Sequence, residues 1–567
     1  VSVFHESYID LLMRMHAADP VAGHHLAALT VSEQARARSL LELLAEAFTD
    51  IRQGVDVQLL ERERSLKERL TIKLDDLTKL LSGKHTAQQK AAAAKEVDGL
   101  TGEYRQAQIE IRQRSPRYAA LTQPQTLGTK EIQQMLDGDT ILLEYALGRD
   151  QSYLWAVTTD RVLSYQLPSR VEIESAAHRV YQLLVARQPA PGLTGIQQRE
   201  RETEADAHYQ AQATALSQML LGPVAAQLGT KRLLIVADGA LQYLPFAALP
   251  VPVGQGSEAA SGQASENNNA TRPPAPSPRP PLVLEHEIVS LPSASVLALL
   301  RRELVGRQPA TRAVAVLADP VFNDDDARIK LSRASRKSPA GTQHQTAETT
   351  LLASHSSPAL ERSISSVRGS GDRASLRRLL FSRDEAEAIL TVTSQPSSLK
   401  ALDFRANRAL AMSDELSQYR VIHFATHGLL DSHHPELSGL VLSLVDEAGR
   451  PQDGFLRLHE IYNLRLNADL VVLSACQTGL GKEVRGEGLI GLTRGFMYAG
   501  SPRVMASLWQ VDDAATAELM KRFYRGMMRE RLTPAAALRT AQLEMLKKKH
   551  WQSPYYWGAF VLQGEWR

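Results

Sequence analysis

Cys476 is the only cysteine in a chain of 567 residues, and it closes the apolar run of the stretch ADLVVLSACQTGLG at 468–481. A second run, VIHFATHG at 421–428, ends on His427 and Gly428, with His427 lying 476 − 427 = 49 residues upstream of the cysteine. Unbroken apolar runs are how buried parallel strands read, and function collects where such strands give way to loops. Two neighbouring strands ending in His-Gly and in Cys would set an imidazole beside a thiol. That imidazole populates the thiolate near neutral pH, and His427 could then return the proton to a leaving amine. Gly428 carries no side chain, so its N–H can approach a developing oxyanion. Together with the N–H of Cys476 it would form a two-donor hole, each donor worth about 3–4 kcal/mol. Alone, either residue reads as an ordinary buried side chain; the pair points to chemistry.

Other chemistries fit less well. His423, His427, His433 and His434 form a cluster in sequence, but a spacing of four on a strand does not chelate as a helix turn does. No HExxH or CxxC is present, so no metal is expected. Ser474 is not in a GxSxG elbow. Gly479, Gly481, Gly486, Gly488 and Gly491 lack both a P-loop lysine and the dinucleotide order, so no nucleotide cofactor is expected either.

A chain of this length implies two to four domains. Hydrophobic content of 43% with 23% charged residues is that of an ordinary globular protein. The 65 basic and 63 acidic residues leave a net charge of +2, so no global field favours nucleic acid or an anionic membrane. A single cysteine excludes an intrachain disulfide and fits a reducing, cytoplasmic setting. No apolar run reaches the length of a membrane span. The first residue is Val1, with no methionine or signal-like segment, which points to an N-terminus further upstream.

Residues 1–120 carry helix signals almost throughout. Tyr8, Leu11 and Leu12 mark the apolar face of a first helix, broken at Asp19-Pro20, and Ser32 with Glu33 opens a second that runs through Phe48. Leu66, Leu70, Leu74, Leu77 and Leu81 form a seam for an antiparallel partner at 88–111. This region reads as a packing and partner-docking module, or as the tail of a helical repeat array. From 121 onwards strands and helices alternate, with strands expected at 140–146, 152–158, 162–167, 232–238 and 313–319 and helices at 171–186, 202–221 and 293–304. The stretches 250–281 and 323–375 hold few large apolar residues and read as mobile loops open to proteolytic nicking, for example at Arg336 or Lys337. Beyond them, Ser382 is expected to cap a helix and 403–412 to form another. Strands are expected at 419–426, 440–444, around the Cys476 run, at 503–508 and at 556–562. Helices are expected near 458–461 and at 487–499, 514–529 and 534–548. The pattern is α/β, a doubly wound and mostly parallel sheet with flanking helices.

Four stretches then carry a resemblance: VIHFATHG (421–428), LSACQTGLG (473–481), GEGLIGLTRGFMYAG (486–500) and SLWQVDDAAT (507–516). In this order they closely resemble the CHAT domain, a caspase-like and separase-like cysteine peptidase module common behind tetratricopeptide repeats in bacterial proteins. LLIVADGALQYLPFAAL (233–249) resembles its front half, and ARARSLLELL (35–44) the region that joins it to the repeats. The resemblance runs from about 121 to 567. It implies a pseudo-caspase-like half at 121–381, a catalytic half at 382–567, a His427/Cys476 dyad and an oxyanion hole at Gly428 and Cys476. Caspases carry glutamine where this chain has Ser474, so cleavage after an acidic residue is not implied. Separases and gingipains resemble this family and hold a basic P1 side chain with an acidic group. Asp512 and Asp513 are the matching carboxylates here, unless they serve as caps of the helix that follows. The function implied is a cysteine endopeptidase acting on protein substrates, gated by the helical region or a regulatory protein bound to it. The alternative is a catalytically silent scaffold.

Overall fold

The computed structural model describes residues 3–48, 58–59, 61–66, 69–70, 72–73, 86–114, 127–190, 192–254, 279–329, 376, 378–393, 397–429, 438–474, 476–478 and 487–567. In the N-terminal region, α1 (Val3–Ala18) packs on α2 (His24–Phe48), and α3 (Ala87–Arg114) follows. Ile9, Leu12 and Met13 form the buried face of α1, whereas Tyr8 and Leu11 are exposed, one position out of phase with the face expected. Ser32 and Glu33 lie inside α2 rather than at its start, and both are buried. The leucine seam is met in part: Leu66 packs with Leu100 and Ala107 of α3, with Leu70 beside them. Leu74, Leu77 and Leu81 lie outside the described residues.

After α4 (Thr129–Met135) come β1 (Thr140–Ala146), β2 (Ser152–Val157), β3 (Val162–Leu167), α5 (Arg170–Leu184) and α6 (Gly195–Leu221). Then follow β4 (Arg232–Val236), β5 (Ile288–Ser290), α7 (Ala294–Leu304) and β6 (Arg312–Ala318). Ser169, Thr194 and Ser293 cap α5, α6 and α7 through side-chain oxygens that accept early helix N–H groups. Most of the two stretches read as loops lies outside the described residues.

Next are α8 (Leu380–Val392), β7 (Ser398–Leu402), β8 (Tyr419–Ala425), β9 (His427–Leu429), β10 (Gly439–Val441) and β11 (Phe455–Arg457). The chain closes with β12 (Leu470–Leu473), β13 (Cys476–Thr478), α9 (Glu487–Tyr498), β14 (Arg503–Ser507), α10 (Asp513–Met528), α11 (Pro534–Leu546) and β15 (Phe560–Gly564). Ser382 is not the cap of α8, because the helix starts at Leu380 and the Ser382 hydroxyl donates back to Leu379 O at 2.6 Å. In place of one helix at 403–412 there are two short helical turns behind β7, a five-residue strand that the sequence reading missed. The final strand begins at Phe560, four residues later than expected, because Pro554–Trp557 forms a helical turn.

Eleven strands form one sheet in the order β3-β2-β1-β4-β5-β15-β14-β12-β8-β6-β7. The pairings β3–β2, β2–β1 and β15–β14 are antiparallel and the rest parallel. Every residue of β1 is buried, as helix-covered strands require. On β8 the pleat sends Phe424 against Phe496 of α9 and His423 against Tyr524 of α10. Helices thus cover both faces. Ile9, Leu12, Leu29 and Val31 belong to the same apolar core as the sheet, so α1 and α2 are part of this body.

Candidate active site

The site is built where two neighbouring strands leave the main sheet together. In that sheet β8 and β12 are parallel, with Phe424 opposite Leu473, a sequence offset of 473 − 424 = 49. Three residues later β9 and β13 are again parallel, with His427 opposite Cys476, an offset of 476 − 427 = 49. The two chains therefore cross into a second, four-stranded sheet of order β11-β10-β9-β13 without slipping in register. Adjacent strands lie about 4.8 Å apart. Cys476 begins a paired strand rather than a loop, a correction to the reading of its polar neighbours Gln477 and Thr478. Three residues beside glycine-rich sequence carry too little local signal, and non-local pairing with β9 makes the strand.

His427 is 4% exposed and pairs on its other side with Val441 of β10. Thr426, fully buried at the crossing, donates its hydroxyl to Val441 O and so ties the bend to β10. Gly439 permits the tight approach of β10 to β11, since a Cβ there would meet Leu456 O at 2.4 Å. Phe322, Leu376, Leu429, Val441 and Phe455 form the apolar core of this small sheet, and the Phe322 ring lies 5.1 Å from the His427 ring at an angle of 48°. Sequence reasoning missed Phe322. Its signal is the Asp-Pro break after the apolar run AVAVLA, but nothing local says which strand it meets.

His423 takes no part in this arrangement. It is fully buried in the main sheet, with Nε2 3.1 Å from a Glu385 carboxylate oxygen and Nδ1 3.0 Å from the Tyr524 hydroxyl. His433 and His434 lie outside the described residues. Among the described residues no group of three or more His, Cys, Asp or Glu side chains is arranged to hold a metal ion. None of the described helices is long and apolar enough to cross a membrane.

The sequence model of the family described as CHAT domain matches residues 210–565, more than half of the chain. The chain belongs to the CHAT domain family. Tetratricopeptide repeat protein 28 of Mus musculus is 35% identical to it over 105 residues, 18% of this chain and 4% of that protein. The Homo sapiens protein of that name is 34% identical over 113 residues, again 4% of its length. This CHAT protein thus spans only a small part of the curated relatives that it matches. Among solved structures it is similar to the Saccharomyces cerevisiae separase–securin complex, at 10% identity and a TM-score of 0.43, over 96% of this chain and 41% of that one. It is also similar to the Arg-specific cysteine proteinase gingipain R, at 10% identity and a TM-score of 0.29, over 70% and 74% of the two chains.

Asp512 and Asp513 of this CHAT domain differ in their surroundings. Asp512 is the N-cap of α10, accepting the Ala515 N–H at 3.0 Å. Asp513 is half-buried, and burial, then the neighbouring charges of Asp512 and Glu385, raise its carboxyl pKa above the ordinary value.

Proposed function

We propose that this CHAT protein is a caspase-like cysteine endopeptidase with Cys476 as nucleophile and His427 as general base and acid. One observation carries the reading: the parallel pairing of β9 and β13 with His427 opposite Cys476. Residues in register on adjacent strands are the closest cross-strand neighbours in a sheet, which suits a proton shared between two side chains. In this reading the thiolate attacks the scissile carbonyl carbon, and His427 gives its proton to the departing amine. Water then hydrolyses the thioester, with His427 taking the water's proton.

The oxyanion hole is assigned to the N–H groups of Gly428 and Cys476. Gly428 lies in the middle of β9, between Leu440 on one side and Gln477 on the other. Between the two aspartates, Asp513 is the better S1 carboxylate, because Asp512 is occupied as a cap. A carboxylate there suits an Arg or Lys side chain. The domain division carried forward is a helical region at 1–120, whose first two helices share the core of the sheet, with two α/β halves at 121–381 and 382–567. The helical region is assigned the docking of a regulatory protein, supported by the repeat-protein relatives. A cytoplasmic setting accords with the lone cysteine.

Because the chain has one cysteine, a thiol-directed peptide probe has one target. Labelling at Cys476, with cleavage of a peptide library falling by about 10³-fold or more in Cys476→Ala, is the expected result. Unaltered cleavage by that variant, or no labelling with the candidate partner present, would leave the scaffold reading in its place.

A further inference from the structure

We propose that Phe322 is the positioning residue for the His427 imidazole, and that a cluster of three arginines around Asp319 fixes Phe322 in place. This rests on the reading of His427 and Cys476 as a dyad. Histidine χ2 is a broad, roughly two-fold torsion, so a strand backbone does not by itself fix the plane of the ring. A wall does. Phe322 supplies it at a ring separation of 5.1 Å, within the range of favourable tilted aromatic pairs. Being 6% exposed, it also shields that side of the imidazole from water.

Phe322 has no strand of its own to hold it. The chain leaves β6 at Asp319, whose φ of 48° lies in the left-handed region that non-glycine residues avoid. Such a backbone persists only where its surroundings over-determine it, and here they do. The buried Asp319 carboxylate accepts a bidentate pair from Arg378 at 2.7 and 2.6 Å, and a further bond from Arg383 Nε at 2.8 Å. Arg328 lies 3.0 Å away and also donates to the Asp319 carbonyl at 2.7 Å. Arg328 and Arg383 are shared with Asp403, which is itself in the left-handed region. Two residues on, the Val321 N–H donates to Ser443 Oγ at 3.0 Å and its carbonyl accepts Leu444 N–H at 2.8 Å. The segment is thus tied on one side to charge and on the other to the chain that follows β10. Between those ties Phe322 can face only the small sheet.

The test reads the single thiol directly and needs no substrate. Iodoacetamide alkylates thiolate, so a thiol paired with imidazolium reacts at about pH 6, where an unpaired thiol is slow. At about pH 6 His427→Ala and Phe322→Leu should each alkylate about tenfold more slowly than the parent chain, with rates at about pH 9.5 unchanged within twofold. Phe322→Tyr, which keeps the flat ring, should restore the parent rate. Arg378→Gln, acting only through the clamp, should lose about threefold. If Phe322→Leu does not fold by circular dichroism, Phe322→Met takes its place. A folded Phe322→Leu or Phe322→Met with the full rate near pH 6, alongside a slowed His427→Ala, overturns the positioning role and leaves the dyad standing. Identical rates for His427→Ala and the parent overturn the dyad reading and the positioning role with it.

Discussion

Asp513 is a half-buried carboxyl at the start of α10. Burial and two acidic neighbours raise its pKa, so it gains its charge later on a rising pH scale than an exposed aspartate does. If it receives a basic P1 side chain, KM for an Arg or Lys substrate should fall as pH rises through that raised pKa, because only the ionised form attracts the cation. Asp513→Asn should remove that limb and raise KM by about tenfold, with little effect on an apolar P1. KM measured against pH for both substrates checks this, and an unchanged profile in the variant removes Asp513 from S1. At this scale the sequence was informative about identity and poor about surroundings. His427 and Cys476 stood out because each follows an apolar run. Phe322 and Asp319 did not, because apart from Arg328 their partners lie about a hundred residues or more away, or on the far side of an insertion, and no periodicity encodes that.

Among the elements, α2 does more than its helical pattern announced. The Glu33 carboxylate accepts the Ala294 and Ser295 N–H groups at 2.8 and 2.7 Å, capping α7 from a distant part of the chain. Arg36 donates to Ala237 O at 2.6 Å and to Tyr145 O, at the ends of β4 and β1. It also lies 3.5 Å from Glu144 and 3.8 Å from Asp238. Burial, then the nearby Glu33 charge, pushes the Glu144 pKa well above its ordinary 4.5, although Arg36 and a bond from Ser32 oppose the rise. A carboxyl whose folded pKa is raised binds more protons folded than unfolded, so its contribution to stability declines as pH climbs above about 4.5. Glu144→Gln has nothing to titrate there. Its unfolding free energy from urea titration should fall less than that of the parent between pH 5 and pH 8, the two diverging by at most about 1.4 kcal/mol per pH unit. Parallel free energies would mean that Glu144 stays charged. The strands 140–146 and 162–167 were legible to the residue, since β-branched and aromatic runs between turn residues allow little else. β7 and β13 were not, because strands of three to five residues carry little local signal and form only when a neighbour offers a ladder.

For the molecule as a whole, the sequence pattern conveyed the α/β class but not the seam at which the sheet is joined. The last strand, β15, slots between β5 and β14, so the C-terminal residues hold the early and late parts of the sheet together. The arginine clamp has a similar reach. Arg328 precedes the 330–377 stretch and Arg378 and Arg383 follow it, yet all three converge on Asp319. A single cut between 329 and 378 would therefore sever the backbone without releasing either new end from the carboxylate that anchors it. Such a nicked chain should run as two bands under denaturing conditions and as one species in native gel filtration at low salt. Dissociation on cutting would show that the clamp and the strand pairs across the cut are together too weak to hold. Proteolysis there is then a change of covalent connectivity rather than of shape, and a preparation cleaved during purification would keep its fold and the pairing of His427 with Cys476 while looking degraded on a gel.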